Sequence, residues 1–188
     1  MNTALQLQWD TSQIQALRNA GLERVLIRSL RMAGGDAIRA IRAAANRSVR
    51  FRKRMKAGAV SRGLLLRMPR SVRSLSDLEW RVDVSGKAVP LAAYPHRQGK
   101  RGVSVAVNKG ARKVIPSAFV ARMKSGHVGI FRRTTKARLP IEELFSSRIS
   151  DVIQDSGATD AIFARGSQVF SASFSRLLPL ELAKAGAK

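Results

Sequence analysis

Lys113–Phe145 reads KVIPSAFVARMKSGHVGIFRRTTKARLPIEELF, and the fold turns on how this stretch is read. Val114, Ile115, Phe119, Val120 and Met123 precede Lys124-Ser125-Gly126, a turn signal in which the glycine can take a positive φ. His127, Val128, Ile130 and Phe131 make a second apolar run, which ends in the solvated Arg132-Arg133-Thr134-Thr135-Lys136. Two apolar runs around a glycine-bearing turn predict a β-hairpin, with Pro140 fixing the geometry of its exit. His127 reads as a packing or hydrogen-bonding residue of that hairpin.

On the N-terminal side, Leu78–Val84 alternates strictly, with Leu78, Trp80, Val82 and Val84 on one face and Glu79, Arg81 and Asp83 on the other. That period predicts a half-buried strand. After the turn Ser85-Gly86-Lys87, Ala88-Val89-Pro90-Leu91 suits a short edge strand, where proline is tolerated. Pro95–Gly102, PHRQGKRG, reads as a basic mobile loop, and Val103, Val105 and Val107 alternate again before Asn108-Lys109-Gly110. Beyond Pro140 the spacing becomes helical. Ile141, Leu144 and Phe145 open an apolar face that Ile149, Val152 and Ile153 continue. On such a helix Glu142 and Glu143 point about 100° apart, too far to pair, and read as favourable charges at a helix N-terminus. Ser156–Asp160 marks a break. A last helix then carries Ile162, Phe163, Val169, Phe170 and Phe174, ends near Pro179, and frays from Ala183.

At the other end of the chain, Asp10-Thr11-Ser12 offers N-caps ahead of Ile14, Leu17, Leu22, Val25, Leu26 and Leu30, spaced as one helical face. Gly34-Gly35-Asp36 interrupts the pattern, either as a C-cap followed by a new N-cap or as a kink. Ala37, Ile38, Ile41, Ala44 and Ala45 resume it. Residues 12–48 therefore read as one long helix with a weak point, or as two helices. The expected fold class is α+β: an N-terminal long helix, an extended basic arm over 47–75, a small antiparallel β-sheet with a hairpin, and C-terminal helices, in a single domain spanning 1–188.

Charge narrows the function. The 188 residues carry 35 Lys+Arg against 12 Asp+Glu, a net +23. The excess lies entirely before Pro140, since residues 140–188 hold only 5 basic against 6 acidic side chains. A basic body suits a polyanion or an acidic protein surface. Within the densest region, Arg47, Arg50, Arg52, Lys53, Arg54 and Lys56 surround Phe51 and Met55, and the 95–102 loop adds Arg97, Lys100 and Arg101. These nine residues are the candidate contacts, either to a phosphate backbone or to an acidic subunit. There is no cysteine, only His96 and His127 as histidines, and no phosphate-loop or nucleophile-elbow spacing. No enzyme activity, metal or cofactor is expected, and no membrane contact.

An Ala- and Arg-rich helix running into a basic segment (AIRAIRAAANRSVRFRKRMKAG), then IPSAFVARMKSGHVGIFRR, then LPIEELFSSRISDVI leading into a C-terminal helix, together resemble the minor tail protein Z family of long-tailed bacteriophages. These are the tail-completion proteins of lambda-like and related phages. The resemblance spans about residues 20–180, and IPSAF, GHVGIFRR and LPIEEL in that order are its most specific part. It implies a structural virion protein, formed in the host cytoplasm and assembled as a ring of six at the head-proximal end of the tail. There it would finish the tail tube beside the tail terminator and permit joining to the head–tail connector, with the DNA end nearby. The competing reading of the same charge is a sequence-nonspecific, basic nucleic-acid-binding protein.

Overall fold

The structure, a computed structural model, describes residues 22–186; the N-cap candidates Asp10–Ser12 and the apolar positions Ile14 and Leu17 lie outside them. The architecture is α+β. Its elements divide into two compact units, one formed by the described residues 22–45, Leu65–Asp83 and 158–186, the other by Asn46–Leu64 and Val84–Gly157.

In the first unit, helix α1 (Glu23–Arg52) pairs with the last helix of the chain, Thr159–Gly186. The apolar stripe of α1, Leu26, Leu30, Ala33 and Ala37, packs with Phe170 and Leu177, and Leu75, Leu78 and Phe174 close the cluster. Buried positions on the last helix fall at Ile162, Gly166, Phe170, Ser173, Leu177 and Glu181, a spacing of three or four that keeps one face inward. The two helices run antiparallel: Arg28 meets Glu181, Asp36 meets Ser173, and Gly166 lies against Ile41. The missing side chain at Gly166 leaves the room that Ile41 occupies.

Gly34-Gly35-Asp36 does not interrupt α1, which passes through it without a break. The helix tolerates two poor helix formers because Gly34 serves packing. A methyl group there would overlap the six-membered ring of Trp80, whose indole meets Phe170 edge-on at 6.5 Å between ring centroids. Phe170 in turn stacks on Phe174 at 6.1 Å. The strand expected over Leu78–Val84 is shorter than its alternation suggests. β1 (Leu64–Arg67) pairs with β2 (Arg81–Val84), whereas Leu78–Trp80 is irregular, because Trp80 is turned onto α1 and a regular pleat would not place it there.

The arm expected over 47–75 is mostly regular structure. Residues up to Arg52 complete α1, Ala57–Gly63 forms the short helix α2, β1 follows, and Leu75–Asp77 is a 3-10 turn capped by Ser74, leaving 53–56 and 68–74 outside helices and strands. Hydrophobic burial causes this. Met55 is 4% exposed, and Val60 and Leu64 are fully buried, so the chain folds back between its cations rather than reaching outward.

The second unit is a set of short antiparallel sheets. β3 (Ala88–Pro90) is the predicted edge strand, paired with β10 (Phe145–Arg148). β4 (His96–Gly99), β5 (Gly102–Val105) and β6 (Lys113–Pro116) form one meander, and β7 (Ala118–Arg122), β8 (Val128–Arg133) and β9 (Ile141–Glu143) form another. The predicted hairpin is β7–β8, turning at Gly126 with φ 82°. Val114 and Ile115 belong to the neighbouring sheet, because Ser117 at φ 59° redirects the chain between β6 and β7. The 95–102 segment is not an open loop: β4 and β5 pair tightly, with Lys100-Arg101 as the turn. Gly102 makes this possible at φ 141°, since any Cβ would strike the Ile115 carbonyl on β6.

After Pro140 the chain continues as strands rather than a helix. β9 completes the sheet, opposing Glu142 to Arg132 and Glu143 to Phe131. Strand pairing wins because Leu144 joins the sheets, donating its N–H to the Ile130 carbonyl at 2.8 Å and accepting from Leu91 N–H at 2.9 Å. Helix α3 starts only at Ile149 and runs to Asp155; after the break at Gly157 (φ 61°) comes α4 (Thr159–Gly186). α4 continues through Pro179 to Gly186, beyond the expected end.

Two outcomes test the helix pair. Gly→Ala ordinarily stabilises a helix interior by up to about 1 kcal/mol. Gly35→Ala should follow that rule, since its new methyl makes only ordinary contact with the Arg39 guanidinium at 3.6 Å. Gly34→Ala should instead destabilise by about 1–3 kcal/mol through overpacking against Trp80; equal urea midpoints for the two variants would contradict this packing.

Acid should also loosen this unit. Glu181 is 5% exposed, and hydrogen bonds from Lys184 and then Arg28 hold its pKa below the ordinary 4.5 despite the opposing effect of burial. Burial pushes Asp36 upward, but bonds from Arg39 and Ser173 outweigh it and leave its pKa lowered. A depressed folded pKa gives stability that is present above the unfolded value and lost as pH falls through the folded one. Urea midpoints should therefore drop between about pH 5 and pH 3, and Glu181→Gln should flatten that slope.

Candidate interaction surface

The first six candidate residues lie where α1 ends in the second unit. Valine and methionine fix the local geometry: Val49 is fully buried and Met55 nearly so, which leaves Arg47, Arg50, Arg52, Arg54 and Lys56 exposed and Lys53 half-buried. Backbone bonds secure the segment beyond the helix. Arg54 N–H donates to the Val107 carbonyl at 2.9 Å, Lys56 N–H donates to Ala93 at 3.0 Å, and Lys53 bridges Asn108.

These cations divide into two kinds. Arg52 donates from Nη1 to the Asp155 carbonyl and from Nη2 to the Ser156 carbonyl, both at 3.4 Å. It thereby serves the unsatisfied C-terminal carbonyls of α3 and favours that end of its dipole. Lys53 Nζ donates to Asn108 Oδ1 at 2.8 Å. Both side chains are therefore structural as well as cationic. Arg47, Arg50, Arg54 and Lys56 form no ion pair among the described residues, so their charge faces outward.

An open cleft of about 450 Å³ sits beside this segment, lined by Phe51, Arg52, Lys53, Asn108, Ser147, Val152 and Asp155. Phe51 is 74% exposed, and the Lys109 ammonium lies 4.8 Å from its ring centroid. The pair is a cation–π contact at a rim of basic residues, a geometry that accepts anions electrostatically.

Arg97, Lys100 and Arg101 are all exposed on the β4–β5 hairpin. Arg97 opposes Ser104 across the ladder, and Arg112 Nη1 donates to Ser104 Oγ at 3.0 Å. Arg112 and Lys109 thus join the basic surface although sequence spacing did not select them. The signal was present in the turn Asn108-Lys109-Gly110, but only strand pairing shows that this turn lies next to Lys53.

His127 does hydrogen-bond within its hairpin region, Nε2–H donating to Glu143 Oε1 at 2.9 Å, with Phe131 edge-on to the ring at 6.5 Å. His96 Nδ1–H donates to the Tyr94 carbonyl at 2.8 Å. Among the described residues no three His, Asp or Glu side chains converge on a possible metal site, and no helix is long and apolar enough to cross a membrane. No family model matches the chain, and no curated protein or solved structure matches it either.

The two kinds of cation should separate in a stability measurement. Arg52→Ala removes a partner of the α3 carbonyls and should cost about 0.5–1 kcal/mol. Arg50→Ala and Arg54→Ala should stay within about 0.5 kcal/mol of the parent. Chemical denaturation of the three variants checks the ranking.

Proposed function

We propose that this protein is a structural component of a phage virion, completing the head-proximal end of a long tail as a ring of six beside the tail terminator and required for head–tail joining. The order of IPSAF, GHVGIFRR and LPIEEL carries the reading. In three dimensions these motifs hold one construction: IPSAF spans the redirection at Ser117 from β6 to β7, GHVGIFRR is β8, and LPIEEL brings in β9 and the Leu144 junction. The motifs on which the resemblance rests are thus those that maintain the sheets, while the cations around them are left for contacts.

Electrostatics supports a partner role. A net +23 per subunit, repeated around a ring, would repel itself unless acidic tail proteins or the DNA end offset it. Arg47, Arg50, Arg54 and Lys56 are the residues assigned to that contact, because their charge is unpaired within the described chain. The partners are further copies of the chain, the terminator and tube proteins, and the head–tail connector. No catalysis or cofactor belongs to this reading.

Exposed Phe51 beside Lys109 favours a second reading, sequence-nonspecific nucleic-acid binding. An aromatic ring among cations can add stacking to phosphate attraction. Under that reading the isolated protein binds single-stranded DNA tightly, with affinity falling steeply as salt rises, and is absent from particles.

The variant carrying Arg47→Gln, Arg50→Gln, Arg54→Gln and Lys56→Gln decides between them. Its fold should persist, since surface changes of this kind each alter stability by about 0.5 kcal/mol or less. Tails should accumulate unjoined and the infectious titre should fall by about ten-fold or more, as expected when the joining contact is weakened. Mass spectrometry of purified virions should find the parent protein at a few copies per particle. Normal titre from the variant, or absence of the parent from virions, would remove the tail assignment.

A further inference from the structure

The first unit bears a second surface, unrelated to the basic cleft. An open groove of about 870 Å³ runs between α1 and the segment from β1 to Trp80. On α1 it is lined by Arg28, Arg31, Met32, Gly35 and Arg39, a stripe at helical spacing next to the core face. Leu66, Met68, Pro69 and Arg70 supply the other wall, and Trp80 is the remaining lining residue.

Its chemistry is mixed in a particular way. Met32 and Met68 stand 45% and 47% exposed, and with Leu66, Pro69 and Trp80 they line one groove, a contiguous apolar surface of the kind that marks an interaction site. Arginine surrounds them, and no carboxylate lines the groove. Arg28 and Arg39 already have acidic partners, Glu181 at 3.1 Å and Asp36 at 2.7 Å. Arg31 and Arg70 have none among the described residues. Arginine, methionine and tryptophan together are the composition of protein-binding surfaces, where methionine adapts to the ligand and arginine makes forked bonds to carboxylates.

We propose that this groove docks an acidic peptide segment of a partner protein, one with large apolar anchors and Asp or Glu three or four residues away. The anchors would cover Met32, Met68 and the accessible part of Trp80, and the carboxylates would pair with Arg31 and Arg70. Nucleic acid suits the groove poorly. A phosphate backbone gains nothing from two methionines, a leucine and a proline, and Trp80 presses one ring face onto Gly34, which removes that face for base stacking. The inference concerns a different unit from the basic cleft and stands whether or not the tail assignment does.

Trp80 provides the readout, because the chain has only 2 tryptophans and Trp9→Phe leaves Trp80 as the sole indole. Three probes are titrated into the full-length protein in that background. They are a twelve-residue peptide of glutamates with leucines three and four apart, the same peptide with serine for leucine, and a twelve-nucleotide single-stranded DNA. The leucine peptide should shift Trp80 emission saturably and bind at least about ten-fold more tightly than the serine peptide. Arg31→Glu with Arg70→Glu should weaken it by about ten-fold or more, with far-UV circular dichroism unchanged because both side chains are exposed. Met32→Ser should weaken it while leaving the serine peptide unaffected.

Equal affinity for the two peptides would overturn the proposal. So would no Trp80 response up to ~1 mM leucine peptide, or DNA producing the same response at lower concentration. A concentration-dependent Trp80 shift without any peptide, abolished by the arginine reversals, would assign the groove to a second copy of this chain instead.

Discussion

The missing side chain at Gly34 sets the terms for the first unit. Trp80 can lie on α1 only because nothing projects from the helix there. From that seat the indole meets Phe170, Phe170 stacks on Phe174, and Leu26, Leu30, Ala33 and Ala37 close around the aromatic pair. Burying side chains of this size gives about 1.5–3 kcal/mol each. The helical cost of a Gly-Gly pair, roughly 1 kcal/mol per glycine, is small beside a cluster that depends on one of them. The same placement ends the strand register before Arg81 and leaves one wall of the arginine-rimmed groove open.

Charge is handled differently from packing. Most carboxylates of the first unit are occupied locally: Asp36 by Arg39 and Ser173, Asp83 by Arg67, Glu79 by Arg81, and Glu181 by Arg28 and Lys184. The exposed pairs among them add little individually, whereas buried Glu181 depends on its two cations. Their larger effect is subtractive, since acids already engaged cannot neutralise the remaining arginines. The outward positive field therefore survives folding almost undiminished, and an external anion is the natural counterpart. Both surfaces described above, the basic cleft and the groove, draw on that uncompensated charge, but only the groove combines it with exposed apolar side chains.

Much of the fold could be read from period and turn chemistry. The β7–β8 hairpin, its glycine, the edge strand β3 and the stripe of α1 all follow from local pattern. Departures arose where a distant partner overrode a local signal. Gly34-Gly35 read as either a stop or a kink because nothing near it in sequence mentions Trp80. Ile141–Phe145 has apolar spacing compatible with a helix, yet β8 offers it a hydrogen-bonding edge and Leu144 is tied on both sides. PHRQGKRG looked like a loop because its charges hide the fact that Gly99 and Gly102 sit opposite each other. For the cations, sequence located the cluster but could not tell Arg52 and Lys53, which hold the fold, from Arg47, Arg50, Arg54 and Lys56, which do not. The groove was invisible, since its two walls are separated by a long stretch of chain.

Gly102 has a consequence for how this chain can vary. Its backbone is wedged against the Ile115 carbonyl, and only Lys100 and Arg101 lie between it and Gly99 across the ladder. An added residue there would have to displace β6 as well as lengthen the turn. Gly126, by contrast, faces open space, so the β7–β8 turn can grow without disturbing a neighbour. Length polymorphism, engineered tags and fluorescent insertions should thus be accommodated at the second turn and rejected at the first. The cationic tip at Lys100-Arg101 is therefore held at a fixed reach from its sheet, while the opposite hairpin is free to evolve its own.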